Sequence, residues 1–350
     1  MAKRARSEDV EETDRIEGHP HPRETFRLTG QGAALAQAAR AIRSGRPPQG
    51  WLIAGPPGIG KATLAYRIAR YLLKYGASAN GPHDLAVPEK DPVSMQVAVN
   101  SHPGLLILKR GINPDTGRLM NVVSVDEVRK LGNFFHLTSG AGGWRVAIVD
   151  TADDMNDAAA NALLKALEEP PSRAMLLLLS HTPGRLLPTI RSRCQRLNLR
   201  PLSETDLQSE LAERLPDMSG TERASLAHLA GGSIGAALQL ASGEGLALAS
   251  EAERLIDNSS SPDFSAIFSL AEKIARQTDG LENFGAFLSQ TLADRIRARA
   301  GTNTRLNNWI EVWEKLNSSF ARASGLHLEP RQTILSAARA LLQTARRNAL

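Results

Sequence analysis

The chain has 350 residues, 42% hydrophobic and 23% charged, the balance of an ordinary globular protein long enough to bury its own core. Its single cysteine, Cys194, excludes an internal disulfide framework and a multi-cysteine zinc module. The net charge of +5 mildly favours a polyanionic partner, whereas the 4% aromatic content disfavours a stacking platform for single-stranded nucleic acid. No stretch approaches the roughly 20 apolar residues of a membrane helix, so we expect no membrane partner. The single cysteine fits a reducing compartment, so we expect a cytoplasmic location.

Short apolar runs alternate with helical patterns between about residues 23 and 200. This alternation predicts an α/β domain with a parallel five-stranded sheet covered by helices on both faces. The predicted strands are Trp51–Ala54, Leu105–Leu108, Val146–Val149, Met175–Leu179 and Arg196–Leu199. The predicted helices are Lys61–Lys74, Ser124–Leu137 and Ala158–Glu169. The segment Gly76–Pro103 is rich in glycine and proline, and we expect it to be a surface excursion.

Helical periodicity dominates after Pro201, where we expect no strand. The predicted helices are Glu204–Arg214, Gly220–Ala230, Ile234–Ala241, Leu246–Asn258, Phe264–Arg276, Phe284–Ala300, Leu306–Ala323 and Pro330–Arg347. The chain is therefore expected to have four regions. They are a disordered N-terminal tail (residues 1–22), the α/β P-loop domain (23–200), a small helical lid (201–244) and an all-α bundle (245–350).

A phosphate-loop motif follows the first predicted strand and opens a predicted helix. It reads Gly55-Pro56-Pro57-Gly58-Ile59-Gly60-Lys61, which matches the pattern G-x-x-x-x-G-K. Glycines let backbone N–H groups turn towards phosphate oxygens, and the helix N-terminus adds a partial positive charge. Lys61 would reach the outer phosphates. The motif predicts a loop of nucleotide-binding ancestry.

Several positions depart from a working ATPase. The residue after the lysine should ligate Mg²⁺ through a hydroxyl, but it is Ala62, and Thr63 is turned about 100° further round the helix. Asp150 ends a predicted strand and is either the second metal anchor or a carboxylate that caps a loop. The next residue is Thr151, where many ATPases carry the glutamate that activates water. Phosphate binding is compatible with these changes, whereas metal-assisted hydrolysis should suffer.

Two further stretches point to a family. One is Asn161-Ala-Leu-Leu-Lys-Ala-Leu-Glu-Glu-Pro-Pro171 and the other is Ser192-Arg193-Cys194. With Phe26–Gln31 and the phosphate loop, in this order and spacing, they resemble the clamp-loader ATPases of bacterial replication, a branch of the AAA+ family. The resemblance covers nearly the whole chain. It implies that Arg193 is an arginine finger, which acts in trans on ATP held by a neighbouring subunit.

Within that family, motor subunits carry an arginine in a G-S-x-R motif where this chain reads Gly232-Ser-Ile-Gly235. With Ala62 and Thr151, this departure implies a largely non-catalytic subunit of the DNA-directed DNA polymerase holoenzyme. It would require no cofactor, bind ATP or ADP at most through a degenerate site, and hold no zinc, because Gly76–His102 contains no cysteine.

The resemblance also implies partners. They are the motor (tau/gamma) subunits and the delta subunit in a hetero-pentamer held by the bundle as a collar, the sliding clamp, and primed DNA through the complex at the nucleoid. Ser124 and Arg129, at a predicted helix start, are weaker candidates for contacts to the DNA backbone. An ordinary capped surface helix is the simpler interpretation of those two.

Two alternative functions stay open. An active AAA+ ATPase, either the motor subunit or a DNA-remodelling helicase, is disfavoured by Ala62, Thr151 and Gly235. A P-loop kinase acting on a small molecule is disfavoured by the helical second half and by the Ser-Arg-Cys element.

Overall fold

The computed structural model describes residues 15–16, 18–111, 120, 122–136, 143–242, 245–277, 280–299, 306–325 and 328–347. The chain divides into two compact units, Met1–Leu238 and Gln239–Leu350. Most of the predicted lid (201–244) therefore belongs to the first unit. Of the predicted disordered tail, residues 1–14 and 17 lie outside the described part. His21, by contrast, is buried and accepts a hydrogen bond from the backbone N–H of Arg23, so this end of the segment is ordered by its own cap.

The first unit is built on one parallel sheet of five strands, which confirms the predicted α/β class. Their order across the sheet is β2-β3-β4-β1-β5. The strands are β1 Gly50–Ala54, β2 Leu105–Leu108, β3 Arg145–Val149, β4 Ala174–Ser180 and β5 Gln195–Asn198. Because all five run in one direction, their carboxyl ends meet at one edge of the sheet and their amino ends at the other.

Nine helices begin in the described part of this unit. They are α1 Gly32–Arg43, α2 Lys61–Tyr75, α3 Pro92–Ala98, α4 Val125–His136, α5 Asp157–Glu168, α6 Pro188–Arg193, α7 Glu204–Arg214, α8 Gly220–Leu229 and α9 Ile234–Ser242. Three of them, α1, α3 and α6, have no counterpart in the sequence prediction. The last two are only 7 and 6 residues long, too short to establish a helical period.

Helices cover both faces of the sheet, as the continuous apolar strands predict. Along β1, Trp51 and Ile53 enter one core cluster and Leu52 enters the other, since successive side chains of a strand point to opposite faces. The first cluster includes buried residues of α1 and α2, such as Ile42 and Leu64. The second includes buried residues of α4 and α5.

The segment Gly76–Pro103 differs from the surface excursion that the sequence predicts. It is more than a surface excursion, because Leu85, Val87 and Val97 are buried in the same core cluster as α2. Leu85 has a φ of +58°, in the left-handed region. These few apolar residues lie in a stretch interrupted by glycines and prolines, too short for a period to be established, so the sequence pattern does not reveal their burial.

The second unit consists of helices in its described part. After the end of α9 these are α10 Gly245–Asp257, α11 Phe264–Ala275, α12 Gly280–Arg299, α13 Asn307–Gly325 and α14 Pro330–Arg347. α12 packs against α10 and α13, and α14 packs against α11 and α13. Phe284 and Phe320 meet in the core with ring centroids 6.3 Å apart. None of the helices described in either unit is long and apolar enough to cross a membrane.

Candidate functional site

The phosphate loop joins the end of β1 to the start of α2, at the carboxyl edge of the sheet. Gly58 has a φ of +71° and Gly60 a φ of +98°, values that L side chains rarely adopt. Gly60 directly precedes α2, which begins at Lys61. The strand, loop and helix that the motif requires are therefore all present and in order.

Lys61 folds back onto this loop. The residue is 5% exposed, and its Nζ donates to the backbone oxygens of Gly55 at 2.7 Å and Pro56 at 2.6 Å. Burial lowers the pKa of Lys61 to about 8, and the negative charges of Asp150 and Asp153 oppose that shift. A phosphate bound here would have to take the amine away from these carbonyls.

The two positions after the lysine offer no hydroxyl at the mouth of the loop. Ala62 packs, half-buried, against the core cluster that contains α2. Thr63 carries a hydroxyl but is buried on the inner side of the helix. Hence the magnesium ligand expected of a working phosphate loop has no replacement in the first turn of α2.

Carboxylates follow β3 at the same edge. Asp150 comes directly after the strand, and its charge acts on Lys61. Thr151 has a φ of +58° and begins a tight turn. Asp153 accepts hydrogen bonds from Ser180 Oγ at 2.7 Å and from the backbone N–H groups of His181 and Thr182. Asp153 thus caps the carboxyl end of β4, beside the phosphate loop.

His181, the residue after β4, belongs to this cluster, although no motif in the sequence includes it. Burial and the nearby Lys61 lower its pKa, while a hydrogen bond with the backbone of Gly55 and the charges of Asp153 and Asp154 oppose the shift. One signal could have found it, since residues just beyond the carboxyl ends of parallel strands share an edge.

The start of α9 lies directly on the phosphate loop. Ser233 Oγ donates to the backbone oxygen of Pro57 at 2.9 Å, and the backbone N–H of Gly235 donates to the oxygen of Gly58 at 2.9 Å. A Cβ on Gly235 would lie 2.7 Å from Gly58 Cα. Glycine at position 235 therefore allows a backbone contact that a larger residue would prevent.

Arg193 lies at the other edge of the sheet. It ends α6, and its backbone oxygen would be 3.4 Å from a Cβ on Gly50, the first residue of β1. The length of β1 alone separates this position from the phosphate loop by about 13 Å. The Arg193 side chain is 38% exposed, and its Nη2 lies 2.8 Å from Glu168 Oε1. Arg193 therefore lies remote from the loop of its own chain.

Cys194 of the Ser-Arg-Cys motif and the two weaker candidates, Ser124 and Arg129, have local roles in the described structure. Cys194 is buried, which raises the pKa of its thiol to about 12, so the thiol is not a ready nucleophile. Ser124 Oγ accepts a hydrogen bond from the N–H of Glu127 at 3.4 Å and caps α4. Arg129 Nη1 lies 3.0 Å from Asp126 Oδ1 on the same helix. The capped surface helix is the arrangement found for Ser124 and Arg129.

The part of the chain that matches known proteins includes the phosphate loop at one edge of the sheet and Arg193 at the other. The sequence model of the family described as DNA polymerase III, delta subunit, matches residues 30–203. The DNA polymerase III subunit delta′ of Pseudomonas aeruginosa is 40% identical over 184 residues, which are 52% of this chain and 52% of that relative. This stretch belongs to the family of DNA polymerase III delta and delta′ subunits. The match confirms the predicted resemblance to the clamp-loader family.

Two further relatives are also named as subunits of DNA polymerase III. The delta′ subunit of Escherichia coli is 35% identical over 204 residues, 58% of this chain and 58% of its own length. The gamma/tau subunit of Mycobacterium tuberculosis is 30% identical over 186 residues, 53% of this chain and 30% of its own length. The matched stretch thus spans about half the length of the delta′ relatives.

Proposed function

We propose that this chain is a non-hydrolysing subunit of a DNA polymerase III clamp loader that supplies Arg193 to ATP bound by a neighbouring subunit. The observation that carries the proposal is the position of Arg193, exposed at the amino edge of the sheet and remote from its own phosphate loop. An arginine there can reach a phosphate only in another molecule. At such a phosphate it would stabilise the negative charge of the transition state.

The subunit's own loop is proposed to need no cofactor. Lys61 is already satisfied by loop carbonyls, Ala62 offers no metal ligand, and α9 donates two hydrogen bonds to the loop. ATP or ADP would bind weakly at most, since it must break these contacts. Among the described residues no cluster of His, Cys, Asp or Glu could hold a metal, and absence of zinc stays a prediction.

The proposed partners are the motor (tau/gamma) and delta subunits in a hetero-pentamer, together with the sliding clamp and primed DNA that the assembly would bring together. The proposed site of action is the replisome in the cytoplasm, at the nucleoid. The second, helical unit is proposed to form the collar that holds the assembly.

The test measures ATP hydrolysis by the purified chain and then by the chain mixed with motor and delta subunits, clamp and primed DNA. We expect no turnover by the chain alone and DNA-dependent turnover in the mixture. The mixture without this chain should show a several-fold lower rate. Steady turnover by the chain alone would instead make it an active AAA+ ATPase and would overturn the proposal.

A further inference from the structure

The ion pair between Arg193 and Glu168 joins the ends of two helices. Glu168 is the last residue of α5 and Arg193 the last of α6. Arg193 Nη2 and Glu168 Oε1 are 2.8 Å apart, and the two side chains are 38% and 48% exposed. A pair this exposed contributes little to folding stability. A role of Glu168 is therefore sought in the position and orientation that it gives to the guanidinium of Arg193.

The backbone beneath the pair is fixed by core packing. A Cβ on Gly50 would lie 2.7 Å from Leu167 Cδ2 and 3.3 Å from Cys194 Sγ. Leu167 and Cys194 are the sequence neighbours of Glu168 and Arg193, and both pack into the second core cluster. The two side chains thus extend from anchored helix ends, and only their own rotamers remain to be set.

The guanidinium of Arg193 is held from two sides. Besides the contact of Nη2 with Glu168, Nη1 donates to the backbone oxygen of Thr189 at 3.3 Å. A guanidinium carries five N–H donors in a planar fork, so these two contacts leave other donors for a phosphate. Because the planar guanidinium binds phosphate through N–H groups that lie in one plane, its orientation determines how well it binds a phosphate.

We propose that Glu168 is a positioning residue for Arg193, which keeps the guanidinium in a single orientation towards a phosphate of the nucleotide held by a neighbouring subunit. This inference rests on the proposed function. Without the carboxylate, the arginine side chain samples many rotamers. It must then be ordered when the transition state forms, and this ordering slows the reaction. Immobilising one such side chain costs about two- to tenfold in rate.

The experiment measures kcat and KM for DNA-dependent ATP hydrolysis by the reconstituted assembly. For Glu168→Ala we expect kcat to fall about two- to tenfold with KM within about twofold. Glu168→Gln keeps an oxygen acceptor for Nη2 and should retain more than half of the wild-type kcat. Glu169→Ala removes the adjacent exposed carboxylate and is the matched control, expected to equal wild type.

Arg193→Ala and the double variant Glu168→Ala/Arg193→Ala complete the design. If Glu168 acts through Arg193, the double variant is no slower than Arg193→Ala alone. A wild-type or raised kcat in Glu168→Ala, or a loss that is repeated in full in the Arg193→Ala background, overturns the positioning role. An Arg193→Ala assembly with wild-type turnover overturns the proposed function itself. Melting curves of each variant separate these outcomes from misfolding.

Discussion

The two edges of the sheet in the first unit differ in how their functional residues are arranged. At the carboxyl edge, the amine of Lys61 and two loop carbonyls are occupied by partners within the chain. At the amino edge, Arg193 is fixed through its backbone but keeps an exposed guanidinium. The carboxyl edge is therefore closed by contacts within the chain, whereas the amino edge presents a charged side chain outward.

Under the proposed function, this difference would allow the chain to lose catalytic residues at its own loop and still act on ATP held by a neighbouring subunit. Ala62 and Gly235 alter only the carboxyl edge, whereas Arg193 depends on the packing of Gly50, Leu167 and Cys194. The residues that keep Arg193 in place are hydrophobic core residues and do not require a bound nucleotide. Each edge can therefore be tested separately.

The largest expected effect concerns the packing beneath Arg193. Cys194 is buried with a pKa raised to about 12, so at pH 8 its thiolate is scarce in the folded chain. We expect a thiol reagent to label the native chain at least about a hundredfold more slowly than the urea-unfolded chain, since one pKa unit is a factor of ten in thiolate. Because the sequence has a single cysteine, the rate is unambiguous. Native labelling within tenfold of the unfolded rate would mean that this edge is not rigid.

The buried amine of Lys61 at the carboxyl edge should make the free energy of unfolding rise with pH. The folded-state pKa of Lys61 is lowered to about 8, so between pH 8 and 10.5 the unfolded chain binds more protons at this residue. The free energy of unfolding should therefore gain from Lys61 on the order of 1–3 kcal/mol as pH rises through that window. Lys61→Met removes this contribution from the pH profile measured by urea unfolding.

The matched control is Lys165→Met, at an exposed lysine of α5. Its pH profile should follow that of the wild type. A Lys61→Met profile that also follows the wild type would show that the amine is not buried against the loop, and the contrast between the two edges would be lost.

The contact between lid and loop should give a smaller effect. Gly235→Ala places a Cβ 2.7 Å from Gly58 Cα, so the loop and α9 must separate. Such overpacking costs about 1–3 kcal/mol, offset by up to about 1 kcal/mol from better helix propensity. We expect a net loss of unfolding free energy, measured by urea titration. Gly184→Ala is the control, because nothing lies within 4 Å of its added Cβ. Equal stability of the two variants would argue against the contact.

The sequence predicted the fold well because its signals are local. Four of the five strands are built on continuous apolar runs, and α7 and α14 have the predicted bounds because helical periodicity is strong there. The short helix α6, which carries Arg193, was not predicted, since 6 residues show no period. Leu85 and Val97 likewise gave no pattern from which their burial could be inferred.

The site was only partly predictable. Motif spacing identified the loop, Asp150 and Arg193, because these depend on residue order along the chain. The hydrogen bond from Ser233 to Pro57 joins residues 176 apart in sequence, and the pair Arg193–Glu168 joins two helix ends. Such partners depend on how the helices pack, which a single sequence does not encode in any local pattern. The role of Asp153 as the cap of β4 has the same origin.

The most direct test of the account is Arg193→Ala in the reconstituted assembly with primed DNA, compared with Arg185→Ala, an exposed arginine elsewhere on the first unit. An arginine finger contributes about 10³–10⁵ to kcat at the site that it serves. We expect a several-fold fall in total turnover for Arg193→Ala, with the folded state intact and other sites still active, and no change for Arg185→Ala. Equal turnover by the two variants would contradict the assignment of Arg193 as a residue that acts on a neighbouring subunit.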